Sequence, residues 1–294
     1  MSWEETFQSW ATAPGETEQT KCDNAVRAVR KAIDASPALK GRSIRVFAQG
    51  SYCNRTNVRT DSDVDICVLC DNSIFFDLPD GMTAGTFGIS TPADYAYSTF
   101  KNDVEAALRA YFGTAYVTRG KKAFDIHENS YRIDADAVAN FEYRYYRKDG
   151  SHIKGTAFVP DGGMRIVNWP EQNYENGVAK NNETGKRFKD VVRVLKRLRN
   201  KMNDEKIAAA APIPSFLVEC LVWNVPNEGF GHNTYAADVQ WTLAHIFNNT
   251  RNFDDCKEWG EVNELKYLFR PGQPWTMEQA HSFASAAWDY LGFK

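Results

Sequence analysis

Two short apolar runs, SIRVFAQGS (43–51) and DVDICVLC (63–70), are joined by a polar stretch, with eleven residues separating Ser51 from Asp63. The pattern is that of a strand, a Gly-Ser turn, a loop and a second strand. Asp61, Asp63 and Asp65 crowd five positions where that second strand begins. Strand alternation puts Asp63, Asp65, Cys67 and Leu69 on one face and the apolar set Val64, Ile66, Val68 and Cys70 on the other, which must face a core. The two acids then point together, away from the core, with Cα atoms roughly 7 Å apart. Carboxylates brought to about 4 Å repel by about 4 kcal/mol at an effective dielectric near 20. A divalent cation turns that cost into binding.

An Asp-x-Asp with no associated His offers oxygen ligands only, which favours Mg²⁺ or Mn²⁺ over zinc. Mg²⁺ usually shares its sphere with substrate phosphates, and Gly50-Ser51 supplies the complement: a glycine admits backbone N–H groups to a phosphate and a serine adds a donor. An Asp-x-Asp alone is more often a solvated acidic strand start. The Gly-Ser turn, the spacing and the strand together shift the balance toward a site. Two-metal phosphoryl transfer needs a further carboxylate. YRIDADAVANFEY (131–143) offers Asp134 and Asp136, both opposite Ile133, Ala135 and Ala137, and geometry alone does not choose between them.

Around these strands, 16–39 reads as a helix with Ala25, Val26, Val29, Ala32 and Ile33 inward and a stop at Ser36-Pro37, and 92–113 as another following Pro92. AYVTRG, AFDIHE, YRIDADAVANFEYRYY and GTAFVP read as antiparallel strands. From about 183 the pattern turns helical. The expectation is an α/β (α+β) protein with a palm-like lobe over 1–170 and a helical lobe over 171–294, the chain crossing between Gly162-Gly163 and Asn182, and the N-terminal helix free to pack on the later lobe.

The net charge of −3 over 294 residues gives no global attraction to nucleic acid. Basic surface is local: 186–201 carries eight Lys and Arg against the single acid Asp190, with Phe188, Val191, Val192, Leu195 and Leu198 as an inner stripe. Such a run is most often a solvated face, the sharper alternative being one or two cations that reach a triphosphate. The start MSWEETFQSW lacks a basic, apolar leader and no long apolar segment follows, so a cytoplasmic protein without membrane association is expected. The six scattered cysteines read as free thiols, and Cys67-x-x-Cys70 on a strand points to opposite faces, so it holds no metal. Trp169, Trp223, Trp241 and Trp288 read as core, and His245 as an ordinary helical residue.

AQGS (48–51), SDVDI (62–66) and DAVANF (136–141) resemble, in that order, the nucleotidyltransferase superfamily of DNA polymerase β, and its third-acid pattern falls on Asp136. GSYCNRTNVRTDSDVDI, ENGVAKNNETGKRFKDVVRVLKRLRN and IPSFLVECLVWNVPN resemble the bacterial cyclic-oligonucleotide synthases (cGAS/DncV-like nucleotidyltransferases, CD-NTases), relatives of cyclic GMP-AMP synthase and oligoadenylate synthase, over about residues 20–230. The resemblance implies a polymerase β-like palm and a helical lobe enclosing a central cleft. It implies two Mg²⁺ (Mn²⁺ a possible substitute) on Asp63, Asp65 and Asp136, ATP and/or GTP as substrates, pyrophosphate release, and ring closure by a repeated step. Gln49, Gly50, Ser51, Lys196, Ser215 and Phe216 fall where the family binds nucleotide. Its implied partners are a downstream effector reached through the cyclic product in antiphage (CBASS) signalling and a regulatory protein or nucleic-acid activator. No zinc insertion of the animal DNA sensor is recognisable. Tyr52, Arg59 and Arg165 are further candidates for phosphate, base or acceptor contact. The competing readings are a template-independent enzyme that tails RNA or adenylylates protein, and a nucleotide sensor that has lost its chemistry.

Overall fold

The computed structural model describes residues 2–58, 63–89, 93–127 and 133–294. In chain order its elements are α1 (Trp3–Ala11), α2 (Glu16–Asp34), β1 (Ile44–Ala48), α3 (Gly50–Asn54), β2 (Val64–Asp77), α4 (Tyr97–Phe112), β3 (Val117–Arg119), β4 (Phe124–Ile126), β5 (Ala135–Tyr146), β6 (His152–Phe158), β7 (Ile166–Asn168), α5 (Pro170–Glu183), α6 (Arg187–Asp204), α7 (Ser215–Trp223), α8 (Tyr235–Asn249), α9 (Phe253–Cys256) and α10 (Met277–Leu291). They form two compact units. One comprises Gly15–Cys53 and Arg59–Glu171; the other comprises Met1–Pro14, Asn54–Val58 and Gln172–Lys294.

The first unit is a mixed sheet ordered β1-β2-β5-β4-β3, with β6 on the later half of β5 and β7 on β6. β2 and β5 run parallel and the remaining pairs antiparallel. Val64, Ile66, Val68 and Cys70 of β2 and Ala135, Ala137, Ala139 and Phe141 of β5 share one core with the apolar stripes of α2 (Ala25, Val29, Ile33) and α4 (Phe100, Val104, Leu108). That is the face the period-2 and period-3.6 patterns predict. In its first half, the other face of β2 departs from the expectation of an outward side: Cys67 and Leu69 are fully buried, while Asp63 and Asp65 at its start reach solvent. A strand in mid-sheet is covered on both faces, as parallel pairing tends to require.

In the second unit α6 runs through the core, burying Phe188, Val191, Val192, Leu195, Leu198 and Met202 among α1, α7, α8 and α10. One expectation is corrected: residues 50–54 are helical rather than loop. The chain passes from one unit to the other between Glu171 and Gln172, within the 162–182 stretch, which holds β7 and most of α5. The helix 16–34 packs with the sheet, while a helix not anticipated, α1, packs in the helical unit through Phe7 and Ala11. All six cysteines are free thiols. Among the described residues no helix is long and apolar enough to cross a membrane.

Candidate active site

The parallel pairing of β2 with β5 sets Asp65 directly beside Asp136. On the other side of Asp136, antiparallel β4 presents Asp125. Asp63 and Asp134 each lie one residue before their strands, and the Val64 amide donates to the Asp134 carbonyl at 2.9 Å, which extends the ladder to that point. Ile133, Ala135 and Ala137 are buried in the core, so Asp134 and Asp136 lie opposite them, as alternation requires. Five carboxylates thus gather where β2 and β5 begin and β4 runs alongside.

Beside them the chain leaves β1. The Gln49 amide donates to the Asp65 carbonyl at 2.8 Å, and Gly50 follows in the left-handed region at φ +68°. A Cβ on Gly50 would run into Oδ2 of Asp65 and lie 3.2 Å from its Cγ, so glycine is required both for the turn and for the close approach to that carboxylate. Ser51, half-buried, follows in the first turn of α3. Tyr52 is buried and its hydroxyl donates to Glu18 at 3.2 Å, which makes it an anchor of this turn. Arg59 and Asp61 lie outside the described residues.

The acids raise one another's affinity for protons. Burial, then the charges of Asp134 and Asp125, push Asp63 upward. Burial, then Asp63, push Asp65 up to about 6. Burial, a hydrogen bond with Asp125 and the charges of Asp63, Asp125 and Asp65 push Asp136 up to about 7. Uncompensated negative charge is therefore the main electrostatic feature of the site.

The chemistry of this donor set fits a hard divalent cation: it is all oxygen, partly exposed at Asp63, and carries mutual repulsion that a cation relieves. Among the described residues no three His, Cys, Asp or Glu side chains form a preformed cage.

On the helical unit Ser215 begins α7, half-buried, and Phe216 beside it is 37% exposed with its ring 6.2 Å from that of Trp275. Lys196 is placed differently from a cation waiting in solvent. It is 1% exposed, its Nζ 2.7 Å from Glu219 and 3.1 Å from the Thr56 hydroxyl. Lys189 and Arg193 are buried too, so the basic run on α6 is in part an internal feature and not simply a solvated face. Arg165 pairs with Asp77 and lies 5.4 Å over the Tyr143 ring. Trp169 is buried, whereas Trp223, Trp241 and Trp288 are partly buried against the helical core. His245 is stacked between Trp241 and Trp259.

Residues 175–292 match the family described as cGAS/DncV-like nucleotidyltransferase C-terminal helical domain. Over 295 aligned residues, covering 99% of this chain and 98% of the relative, the sequence is 46% identical to a cyclic dipyrimidine nucleotide synthase CdnE of Legionella pneumophila. The chain belongs to the cGAS/DncV-like nucleotidyltransferases. A solved CD-NTase, the c-UMP-AMP synthase CdnE of Rhodothermus marinus with Apcpp and Upnpp, superposes with a TM-score of 0.86 at 31% identity, covering 98% of this chain and 96% of that one. The CdnE cyclic dinucleotide synthase of Elizabethkingia meningoseptica with GTP and Apcpp gives 0.83 at 33%, covering 99% of each chain. The protein is therefore a nucleotidyltransferase of the CD-NTase family, with that family's mixed sheet and helical C-terminal part.

Sequence reasoning missed two members of these clusters. Asp125, in AFDIHE, alternates with Phe124 and Ile126 and so had a visible outward face, but nothing local says that β4 pairs beside Asp136. Glu219 was visible as the one carboxylate in the apolar run SFLVECLVW; its partner lies 23 residues away on another helix.

Proposed function

We propose that this CD-NTase joins nucleoside triphosphates into a cyclic dinucleotide, releasing pyrophosphate at each of two bond-forming steps, and that it serves bacterial antiphage signalling. The observation that carries the assignment of the site is the register of Asp65 against Asp136 beside Gly50. In this reading Asp63, Asp65 and Asp136 hold two Mg²⁺ ions, with Mn²⁺ able to substitute. When bound, such ions neutralise triphosphate charge and lower the pKa of the attacking hydroxyl. The chain's own residues orient the reactants. Gly50, lacking a Cβ, lets a phosphate come close to the backbone of the turn; the Ser51 hydroxyl is a donor to it, and Gln49 keeps the turn registered on Asp65. On the helical unit we assign Ser215 to a phosphate and Phe216 to stacking on a base.

Resemblance pointed to ATP and/or GTP. The likeness to a synthase named for dipyrimidine products, and to a structure determined with Upnpp beside Apcpp, supports UTP or CTP as at least one substrate. Incubating the protein with all four NTPs and Mg²⁺, removing linear products with phosphatase and identifying the remainder by mass spectrometry tests both claims. A phosphatase-resistant cyclic product containing a pyrimidine is expected. A purely purine ring would overturn the base assignment, and label transferred to RNA or protein would overturn cyclisation.

A further inference from the structure

Between Ser51 and Asp63 the chain passes through the helical unit. Asn54, Thr56 and Asn57 are all buried, in a stretch whose composition reads as a polar surface loop. Asn54 and Thr56 meet a charged pair there. Glu219 of α7 accepts from the Thr56 hydroxyl at 2.8 Å, from the Asn54 amide at 3.4 Å and from the Lys196 ammonium at 2.7 Å, while Lys196 also donates to the Thr56 hydroxyl at 3.1 Å. Thr56 therefore bridges the two charges, donating to one and accepting from the other. One turn earlier on α6, Arg193 donates to the carbonyl of Arg55 at 2.7 Å, and Arg55 is a non-glycine residue held at φ +56°. Burial works against a charged Glu219, yet the Lys196 charge and the hydrogen bonds from Lys196 and Thr56 hold its carboxyl below the usual range.

An ion pair buried this deeply is a poor means of gaining stability, because removing both charges from water costs about what their attraction returns. Its distinguishing property is geometric. Besides bonding each other, the two charged groups bond Asn54 and Thr56, and those residues are covalently joined to the Gly50-Ser51 turn on one side and lead to Asp63 on the other. A loop of polar residues has no apolar face by which to be held, so a hydrogen-bonded charge pair is what can fix it.

We propose that Lys196 and Glu219 form a clamp on residues 54–58, and that Glu219, Thr56 and Lys196 are positioning residues for the Gly-Ser turn and the Asp-x-Asp strand. The inference rests on the reading of those two features as the catalytic site. Lys196 then acts through Thr56 rather than by touching the triphosphate itself.

Hydrogen exchange of the full-length protein and steady-state kinetics test the clamp together. Thr56→Val removes one hydroxyl at nearly constant volume and leaves the ion pair intact. Glu219→Gln and Lys196→Met each remove one charge, and the double variant Lys196→Met with Glu219→Met removes both. The expected results are faster exchange over 50–58 in Thr56→Val and Glu219→Gln, recovery of protection in Thr56→Ser, and a kcat lowered roughly ten- to hundred-fold with KM little changed, the signature of misplaced catalytic groups. The double variant is expected to be no worse than either single one, since the two residues act as one unit. Unchanged exchange over 50–58 in Thr56→Val would overturn the proposal. So would a Lys196→Met protein that loses affinity for a non-hydrolysable NTP while Glu219→Gln keeps it, because Lys196 would then be a triphosphate ligand. Exchange does not depend on what product is made, so a failed clamp is distinguishable from a wrong assignment of the reaction.

Discussion

At the scale of single residues, the carboxylates gathered at this site oppose stability. Asp65 and Asp136 are pushed up to about 6 and about 7, above the ordinary 3.8 of an unfolded aspartate. For acids shifted in this direction the folded state holds more protons than the unfolded one, so the contribution is favourable at low pH and is lost as pH rises through the folded values. The metal-free protein is therefore expected to lose stability at this site between about pH 4 and pH 7, from the unfolded value up to the folded ones. Asp136→Asn or Asp65→Asn should flatten that slope and raise the melting temperature at pH 8 by roughly 2–5 °C, while lowering kcat by at least about a thousand-fold, since each removes a carboxylate that the proposed function assigns to the metal. Calorimetry across pH together with product assays checks both halves, and a variant that loses activity and stability together would contradict the electrostatic reading. Gly50→Ala has the opposite balance. The left-handed backbone costs about 1 kcal/mol, but the added methyl also displaces the Asp65 carboxylate, so activity should fall far more than stability. A folded Gly50→Ala protein with wild-type turnover would show that the turn does not set the carboxylate.

At the scale of elements, a helix outside the sequence-based expectations proves to be structural. α1 is capped by Ser2 and Glu5 in a reciprocal box, buries Phe7 completely, and lets Glu4 accept from the amides of Tyr235 and Ala236 at the start of α8. Its C-terminal end is held as well, by Arg193 donating to the Ala11 carbonyl at 2.7 Å. Phe7→Ala is expected to destabilise the protein by about 3–5 kcal/mol through the cavity left in the helical core, with denaturant unfolding as the measurement. Little loss of stability would mean that α1 docks only loosely. Arg193 reaches both Ala11 and Arg55, so loosening α1 is also expected to quicken hydrogen exchange at 54–58, linking the N-terminal helix to the clamp.

For the whole molecule, the expected consequence is linkage between metal and nucleotide. A ligand at a hundred times its Kd stabilises by about 2.7 kcal/mol, and because Mg²⁺ shares its ligands between protein and phosphate, Mg²⁺ with a non-hydrolysable NTP should raise the melting temperature by more than the two shifts measured separately. Asp63→Ala should abolish that excess, and chelation should abolish turnover; additive shifts in the wild type would argue against a shared site. Much of the candidate site was legible from local spacing. Period-2 alternation around Asp63, Asp65 and Asp136, the Gly-Ser turn and the apolar stripe of α6 each express geometry repeated within a few residues, and the fold class followed from the order of such patterns. The choice of Asp136 over Asp134 came from resemblance, and the register of β2 against β5, which pairs residues 71 positions apart in sequence, is what sets Asp136 beside Asp65. Contacts of that kind leave no local trace. Asp125 next to Asp136, Glu219 under Thr56, and the burial of Lys196 are products of chain segments meeting from far apart in sequence, and whether a cation is solvated or buried is decided by what lies opposite it. The sequence by itself determined which residues have the chemistry for phosphoryl transfer and which faces are apolar. Only the tertiary structure decided which carboxylates become neighbours and which lysine is held internally, because pairing register and burial depend on contacts across the whole chain.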